Sequence, residues 1–253
     1  MFKNAIVRKP CPEMIHGISS ASIGIPDYLM ALDQHSKYIK ALQSCGLDVL
    51  VLEPDSRFPD STFLEDVALC TPACAIITNP GAPSRNGEQI GMKDILQSYY
   101  DDVENIESPG TLDAGDVMMT GKHFYIGISD RTNQEGADQL IQLLERHQMT
   151  GEKVPLKEML HLKSGASFLE EGHMLVGGEF VTHPAFKGFS RLLVDPDETY
   201  AANSLWINGT VLVPAKIPKT RDIIEKAGYQ TITLDVSEFQ KLDGGLSCLS
   251  LRF

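Results

Sequence analysis

The sequence predicts an α/β fold, a five-bladed propeller of ββαβ-type repeats with pseudo-five-fold symmetry. Three observations predict it. One rhythm of strand, turn, strand and helix recurs along the chain. The repeats start about 40–50 residues apart, a period that marks a repeated architecture. The first and last strands have no local partner.

The elements follow in order. Ala5-Ile6-Val7 is an apolar strand without a hairpin partner, and a helix from about Asp27 to Ser44 leads into a strand at Val49-Leu50-Val51-Leu52. The first repeat pairs Asp66–Cys70 with Ala75–Thr78; a helix from about Glu88 to Tyr100 then precedes a strand at Val103–Ile106. The second pairs Asp116–Met119 with Phe124–Gly127 across a turn at Gly121-Lys122. Its helix, Gln134 to about His147, spaces Ala137, Leu140, Ile141 and Leu144 at the helical period, and Lys153–Leu156 follows as a strand. The third pairs Ala166–Leu169 with Met174–Val176. The fourth pairs Ser204–Ile207 with Val211–Val213 across Asn208-Gly209, a strong hairpin signal, before a helix at Lys219–Ala227 and a strand at Thr231–Leu234. Cys248–Leu251 is the last strand. Pairing it with Ala5–Val7 closes a ring, and the helix at 27–44 completes the fifth, split unit. An open doubly wound sheet is the runner-up, but the first strand lacks the G-x-G-x-x-G turn of a dinucleotide site.

Composition bounds the function. A chain of 253 residues, 42% hydrophobic, fits one large domain, read here as a catalytic domain over residues 1–253. With 22 Lys+Arg against 34 Asp+Glu the net charge is −12, the wrong sign for a nucleic-acid surface. The N-terminus has no apolar h-region, and no stretch approaches the roughly 20 apolar residues of a membrane helix. The expectation is a cytoplasmic protein with neither nucleic-acid nor membrane partners. Five cysteines, odd in number and irregular in spacing, argue against a disulfide framework. Cys70 and Cys74 are a C-x3-C pair, but no second Cys/His pair at zinc-ligand spacing follows. They read as small buried residues flanking a hairpin turn.

Chemistry-bearing residues recur beside the first strand of each unit. They are Asp60, Glu65 and Asp66 in the first, Asp113 and Asp116 in the second, His161 in the third and Cys248 in the last. Gly244 and Gly245 let the chain before Cys248 turn tightly and be approached closely. If the ring closes, these groups converge on its axis. Clustered carboxylates repel one another unless a cation joins them. One well-placed histidine is few for a metal site, whereas a planar guanidinium pairs bidentately with carboxylates. A thiolate can attack the guanidinium carbon, and an imidazole can protonate the departing nitrogen and then activate water.

These motifs resemble the dimethylarginine dimethylaminohydrolases, cysteine hydrolases of the guanidine-modifying (pentein) superfamily. The resemblance spans essentially the whole chain. It rests on Phe58-Pro59-Asp60-Ser61, Leu64-Glu65-Asp66, Asp113-Ala114-Gly115-Asp116, Arg131-Thr132-Asn133, His161-Leu162-Lys163, Tyr200-Ala201-Ala202-Asn203 and the ending from Gly244 to Arg252. It implies the five-fold propeller and assigns Cys248 as nucleophile and His161 as general acid and then general base. Asp113 takes the place of the carboxylate that orients the histidine. Glu65 and Asp66 would hold the guanidinium, and Arg85 and Arg131 would clamp the substrate α-carboxylate. Asp60 and the backbone carbonyls of Ile18 and Leu242 would accept from its α-amino group. The segment from about Cys11 to Ile25 resembles a lid, with Gly17 and Gly24 easing its motion.

The resemblance implies hydrolysis of Nω-methylated L-arginine, a small-molecule partner, to L-citrulline and methylamine or dimethylamine, with no cofactor and no metal. Arginine deiminase is the enzymatic alternative; it usually carries an extra helical insertion and a longer chain. Agmatine deiminase fits less well, because its substrate has no α-carboxylate for two arginines. A non-catalytic propeller that binds ribosomes is the alternative of another class, and the acidic balance counts against it. The sequence leaves the oligomeric state open, a homodimer included.

Overall fold

The repeated unit is a hairpin that gains one parallel strand. A computed structural model covering residues 1–253 arranges the chain as five three-stranded sheets, each an antiparallel pair plus a third strand parallel to the middle one.

The chain enters through β1 (Asn4–Arg8), then α1 (Tyr28–Ser44) and β2 (Asp48–Leu52), which lies parallel to β1. Asp27 caps α1 by accepting from Met30 N–H. The first blade is β3 (Ala68–Cys70), β4 (Ala75–Ile77), α2 (Met92–Leu96) and β5 (Val103–Asn105). The second is β6 (Val117–Thr120), β7 (His123–Ile128), α3 (Gln134–Arg146) and β8 (Thr150–Pro155). The short α4 (Leu162–Gly165) opens the third, β9 (Ala166–Phe168), β10 (His173–Val176) and β11 (Ser190–Leu193). The fourth is β12 (Leu205–Ile207), β13 (Thr210–Pro214), α5 (Pro218–Lys226) and β14 (Gln230–Leu234), after which α6 (Ser237–Gln240) leads to β15 (Leu251–Arg252). β15 pairs antiparallel with β1, Ala5 opposite Arg252 and Ile6 opposite Leu251, so the split blade closes the ring.

The apolar core is divided the same way. Five clusters lie between successive blades, and the middle strand of each sheet feeds two of them because its side chains alternate. In β3 and β4, Leu69 and Ile76 join Val117 and Phe124 of the second blade. Their neighbours Ala68, Ala75 and Ile77 join Ile6 and Leu251 of the split blade. Further clusters join the second blade to the third, the third to the fourth, and the fourth to the split blade under α1. Blades buried on both faces explain why the hairpins read as continuous apolar runs.

Three expectations need correction. Cys248 does not stand on a strand: Ser247–Leu249 is a 3-10 turn and the strand begins only at Leu251. Side chains hold that turn, since Tyr38 Oη donates to Leu246 O, Asn203 Oδ1 accepts from Ser247 N–H and Arg252 donates to Ser247 O. The helix expected over 88–100 shrinks to Met92–Leu96, because Gly87 and Gly91 take positive φ and turn the preceding chain. The third blade has 3-10 turns at Gly178–Thr182 and Pro184–Phe186 in place of a helix, and its third strand, β11, was not foreseen. β11 is mostly exposed, so it lacks an apolar run to read. Gly244 and Gly245 are approached closely, as expected, by the side chains of Phe63 and Asn203, and the positive φ before Cys248 falls at Asp243.

Candidate active site

The axial ends of the first strands carry the polar groups. A pocket there is lined by Ile18, Asp60, Asp66, Arg85, Asp113, Arg131, His161, Leu242 and Cys248, together with Phe63, Leu160, Asp243 and Gly244. Nine of the ten residues assigned from sequence therefore share one cavity. Glu65 does not. Its carboxylate turns to the other side of the chain, where Oε1 meets Lys163 Nζ and Arg252 Nη2, each at 2.7 Å, and Oε2 accepts from Ser247 Oγ at 2.9 Å.

His161 sits just before α4 with Nε2 3.3 Å from Asp113 Oδ2. Asp113 Oδ1 accepts from Gly81 N–H at 2.8 Å, which orients the carboxylate. Burial alone would lower the imidazole pKa, but Asp66, Asp116 and Asp113 overcome it and raise it to about 9. Burial likewise pushes Asp113 up, yet the hydrogen bond and charge of His161 hold it below the usual carboxylate range. Asp116, fully buried, accepts from Ser129 Oγ at 2.6 Å, Thr132 Oγ1 at 2.7 Å and Leu162 N–H at 2.9 Å. It thereby ties the first turn of α4, and the histidine before it, to the second blade.

Asp66 accepts from Gly115 N–H at 2.9 Å and from Arg85 Nη1 at 2.6 Å. A Cβ on Gly115 would stand 2.7 Å from Asp66 Oδ1 and 2.9 Å from His161 Nδ1, so only glycine lets these two groups share the floor. Arg85 is buried against Asp66, Glu88 and Phe63 O, and the negative charge around it holds its guanidinium charged despite burial. Arg131 has no ion pair and is one of the residues that line the pocket. Asp60 accepts from Ile18 N–H at 3.1 Å, and burial raises its carboxyl. Gly17 permits that approach, since a Cβ there would lie 2.7 Å from Asp60 Oδ1. Beyond Ile18, Ser19 Oγ donates to Lys241 O and Ser20 N–H to Asp243, so the segment expected to be a lid lies over the loop that leads to Cys248.

Cys248 Sγ accepts from Gly245 N–H at 3.3 Å and faces Asn203 Nδ2 at 3.9 Å. Burial first, then Glu65 and Asp66, push its thiol up to about 12. This field thus favours a neutral thiol in the same pocket as a protonated imidazole. Asp66, Asp113 and His161 bring ligand atoms within 4.8 Å of one another, a set that could hold a cation. Both carboxylates already face cationic groups, Asp66 facing Arg85 and Asp113 facing His161.

Sequence reading assigned no role to Glu88, Asn203, Lys163 or Asp243. Asn203 and Lys163 stood in quoted motifs without a partner to give them one. Glu88 lies three residues from Arg85, and its burial is visible only once the blade is packed.

A five-bladed α/β propeller with a cysteine, a histidine and paired carboxylates at its axis defines the chain as a pentein. A family model described as N,N dimethylarginine dimethylhydrolase, eukaryotic, matches residues 28–176. The dimethylarginine dimethylaminohydrolase of Pseudomonas aeruginosa is 51% identical over 254 residues, covering 100% of both chains. That of Streptomyces coelicolor is 34% identical over 251 residues, covering 99% of this chain and 96% of the other. The chain belongs to the dimethylarginine dimethylaminohydrolase family. A solved structure of the Pseudomonas aeruginosa protein, a cysteine-to-serine variant complexed with citrulline, superposes with TM-score 0.99 at 50% identity, covering 100% of both chains. The N-terminal domain of ArgZ, an arginine dihydrolase from cyanobacteria, shares the fold at TM-score 0.88 and 17% identity, covering 100% of this chain and 98% of that one. No helix is long and apolar enough to cross a membrane.

Proposed function

We propose that this chain hydrolyses Nω,Nω-dimethyl-L-arginine and Nω-monomethyl-L-arginine to L-citrulline and dimethylamine or methylamine. The observation that carries the reading is one pocket that Cys248, His161 and Asp113 share with Asp66, Asp60 and Arg131.

The substrate guanidinium lies against Asp66. Its α-carboxylate meets Arg131, the cation of the pocket without an ion pair, with Arg85 held behind it. Its α-amino group meets Asp60 and the carbonyls of Ile18 and Leu242. The guanidinium charge offsets the field of Asp66 and Glu65 on Cys248, so the thiol gives its proton to water and becomes a thiolate. The thiolate forms a C–S bond to the guanidinium carbon. The bond to the methylated nitrogen breaks as protonated His161 gives its proton to the leaving amine. Neutral His161, oriented by Asp113, then takes a proton from water. The hydroxide adds to the same carbon, the C–S bond breaks with its electron pair going to Cys248 Sγ, the added hydroxyl gives its proton to that sulfur, and citrulline leaves with the free thiol restored. Glu65 acts from behind the pocket, by holding Ser247 beside the nucleophile.

The test is citrulline formation from dimethylarginine, monomethylarginine and arginine, beside a Cys248→Ser protein. Turnover of the methylated substrates, lost in the variant while citrulline still binds, is expected. Turnover of arginine alone would move the chain to the deiminases, and silence on all three would overturn the reading.

A further inference from the structure

Back to back with the reaction pocket lies a second cavity of about 120 Å3. The two share no lining residue, yet they draw on neighbouring ones: Glu65 beside Asp66, Ala114 beside Asp113, Ser247 beside Cys248. The wall of the second cavity is apolar, with Leu69, Met118, Phe168, Leu205 and Trp206, and one end is charged, with Glu65, Lys163 and Arg252.

That end has an excess of positive charge. Lys163 Nζ and Arg252 Nη2 both stand 2.7 Å from the same atom, Glu65 Oε1. The side chains of Lys163, Arg252 and Glu65 are only 15%, 11% and 3% exposed. Two sheltered cations therefore share one carboxylate. The other donors of Arg252 go to neutral oxygens of Ser247 and Ser250. Lys163 has no acceptor but Glu65, although an ammonium carries three donors. A sheltered charge without a full counter-charge is costly, and an anion relieves it. The other acid on the wall is Glu170, in the turn after β9, whose carboxyl burial makes harder to ionise. Asp66 and Cys248 face the reaction pocket instead.

We propose that this rear cavity is a binding site for a small monocarboxylate, with its carboxylate on Lys163 and Arg252 and its short alkyl tail against Met118, Leu205 and Trp206. The charged end is one residue from the nucleophile, and Lys163 is a cation that favours the Cys248 thiolate. A bound carboxylate offsets that cation and slows reaction at Cys248.

The test is calorimetric titration of the full chain with sodium butyrate, with butyramide as the neutral control. Four proteins are compared: the wild type, Lys163→Met, Lys163→Arg and Arg131→Ala. Saturable butyrate binding is expected in the wild type. It weakens at least about tenfold in Lys163→Met, and persists in Lys163→Arg and Arg131→Ala. Butyramide gives no heat. Met119 also stands on the cavity wall, so if Lys163→Met melts, Met119→Trp, which fills the rear cavity, replaces it and blocks binding. No saturable binding, binding indifferent to Lys163→Met or to the filled cavity, or binding lost in Arg131→Ala because butyrate occupies the reaction pocket, would each overturn the proposal.

Discussion

At the residue scale, burial and neighbouring carboxylates set the state of the nucleophile. The Cys248 thiol is pushed up to about 12, by burial and then by Glu65 and Asp66. Alkylation of Cys248 at neutral pH should therefore be slow in the empty protein and accelerate beside a small unreactive guanidinium. Rapid alkylation of the empty protein, with a thiol titrating near neutrality, would contradict this account. Gly115 offers a second test. Alanine there would press on both Asp66 and His161, so Gly115→Ala should lower kcat about 100-fold, the loss expected of a displacement near 1 Å. Circular dichroism should show the fold retained. A variant with normal kcat would mean that the two groups tolerate separation.

At the element scale, the hairpin turns do more than reverse the chain. Asn208 takes positive φ, as its turn demands, and its amide also bridges blades: it accepts from Phe2 N–H at 2.8 Å and donates to Phe2 O at 2.9 Å and Cys45 O at 3.1 Å. Glycine can keep that turn but not those bonds. Asn208→Gly should cost about 2 kcal/mol in denaturant unfolding, at roughly 1 kcal/mol per hydrogen bond less overlap. A neutral substitution would show that the clamp is dispensable. Asp27→Ala, which removes the cap of α1, should cost about 1 kcal/mol in the same assay.

At the scale of the whole molecule, the ring concentrates titratable groups on one axis, and stability inherits their pH dependence. His161 is raised from 6.5 to about 9. Its contribution is fully present below pH 6.5 and is lost as pH rises through about 9. Cys248, raised from 9.0 to about 12, has the same sign, so its contribution is lost above pH 9. The melting temperature should fall between pH 7 and pH 9.5, and the slope should flatten in His161→Ala. An equal slope in both proteins would remove His161 as the cause.

Much of this was legible along the chain. Blade hairpins buried on both faces leave apolar runs, Asn208-Gly209 marks its turn, and two partnerless terminal strands predict closure. The motifs also carried nine residues into one pocket. What sequence could not decide was direction. Glu65 and Asp66 are adjacent and look equivalent, yet the 3-10 turn that holds them sends one side chain to each side of the axis. Cys248 read as a strand residue because the side chains that hold its turn, Tyr38, Asn203 and Arg252, come from three separate parts of the chain. Local pattern determined the elements and the inventory of the site, because strand period and turn chemistry act between near neighbours. Only tertiary packing decided which way each charge faces and how far its pKa moves, because burial and Coulomb fields sum over residues that meet only when the ring is closed.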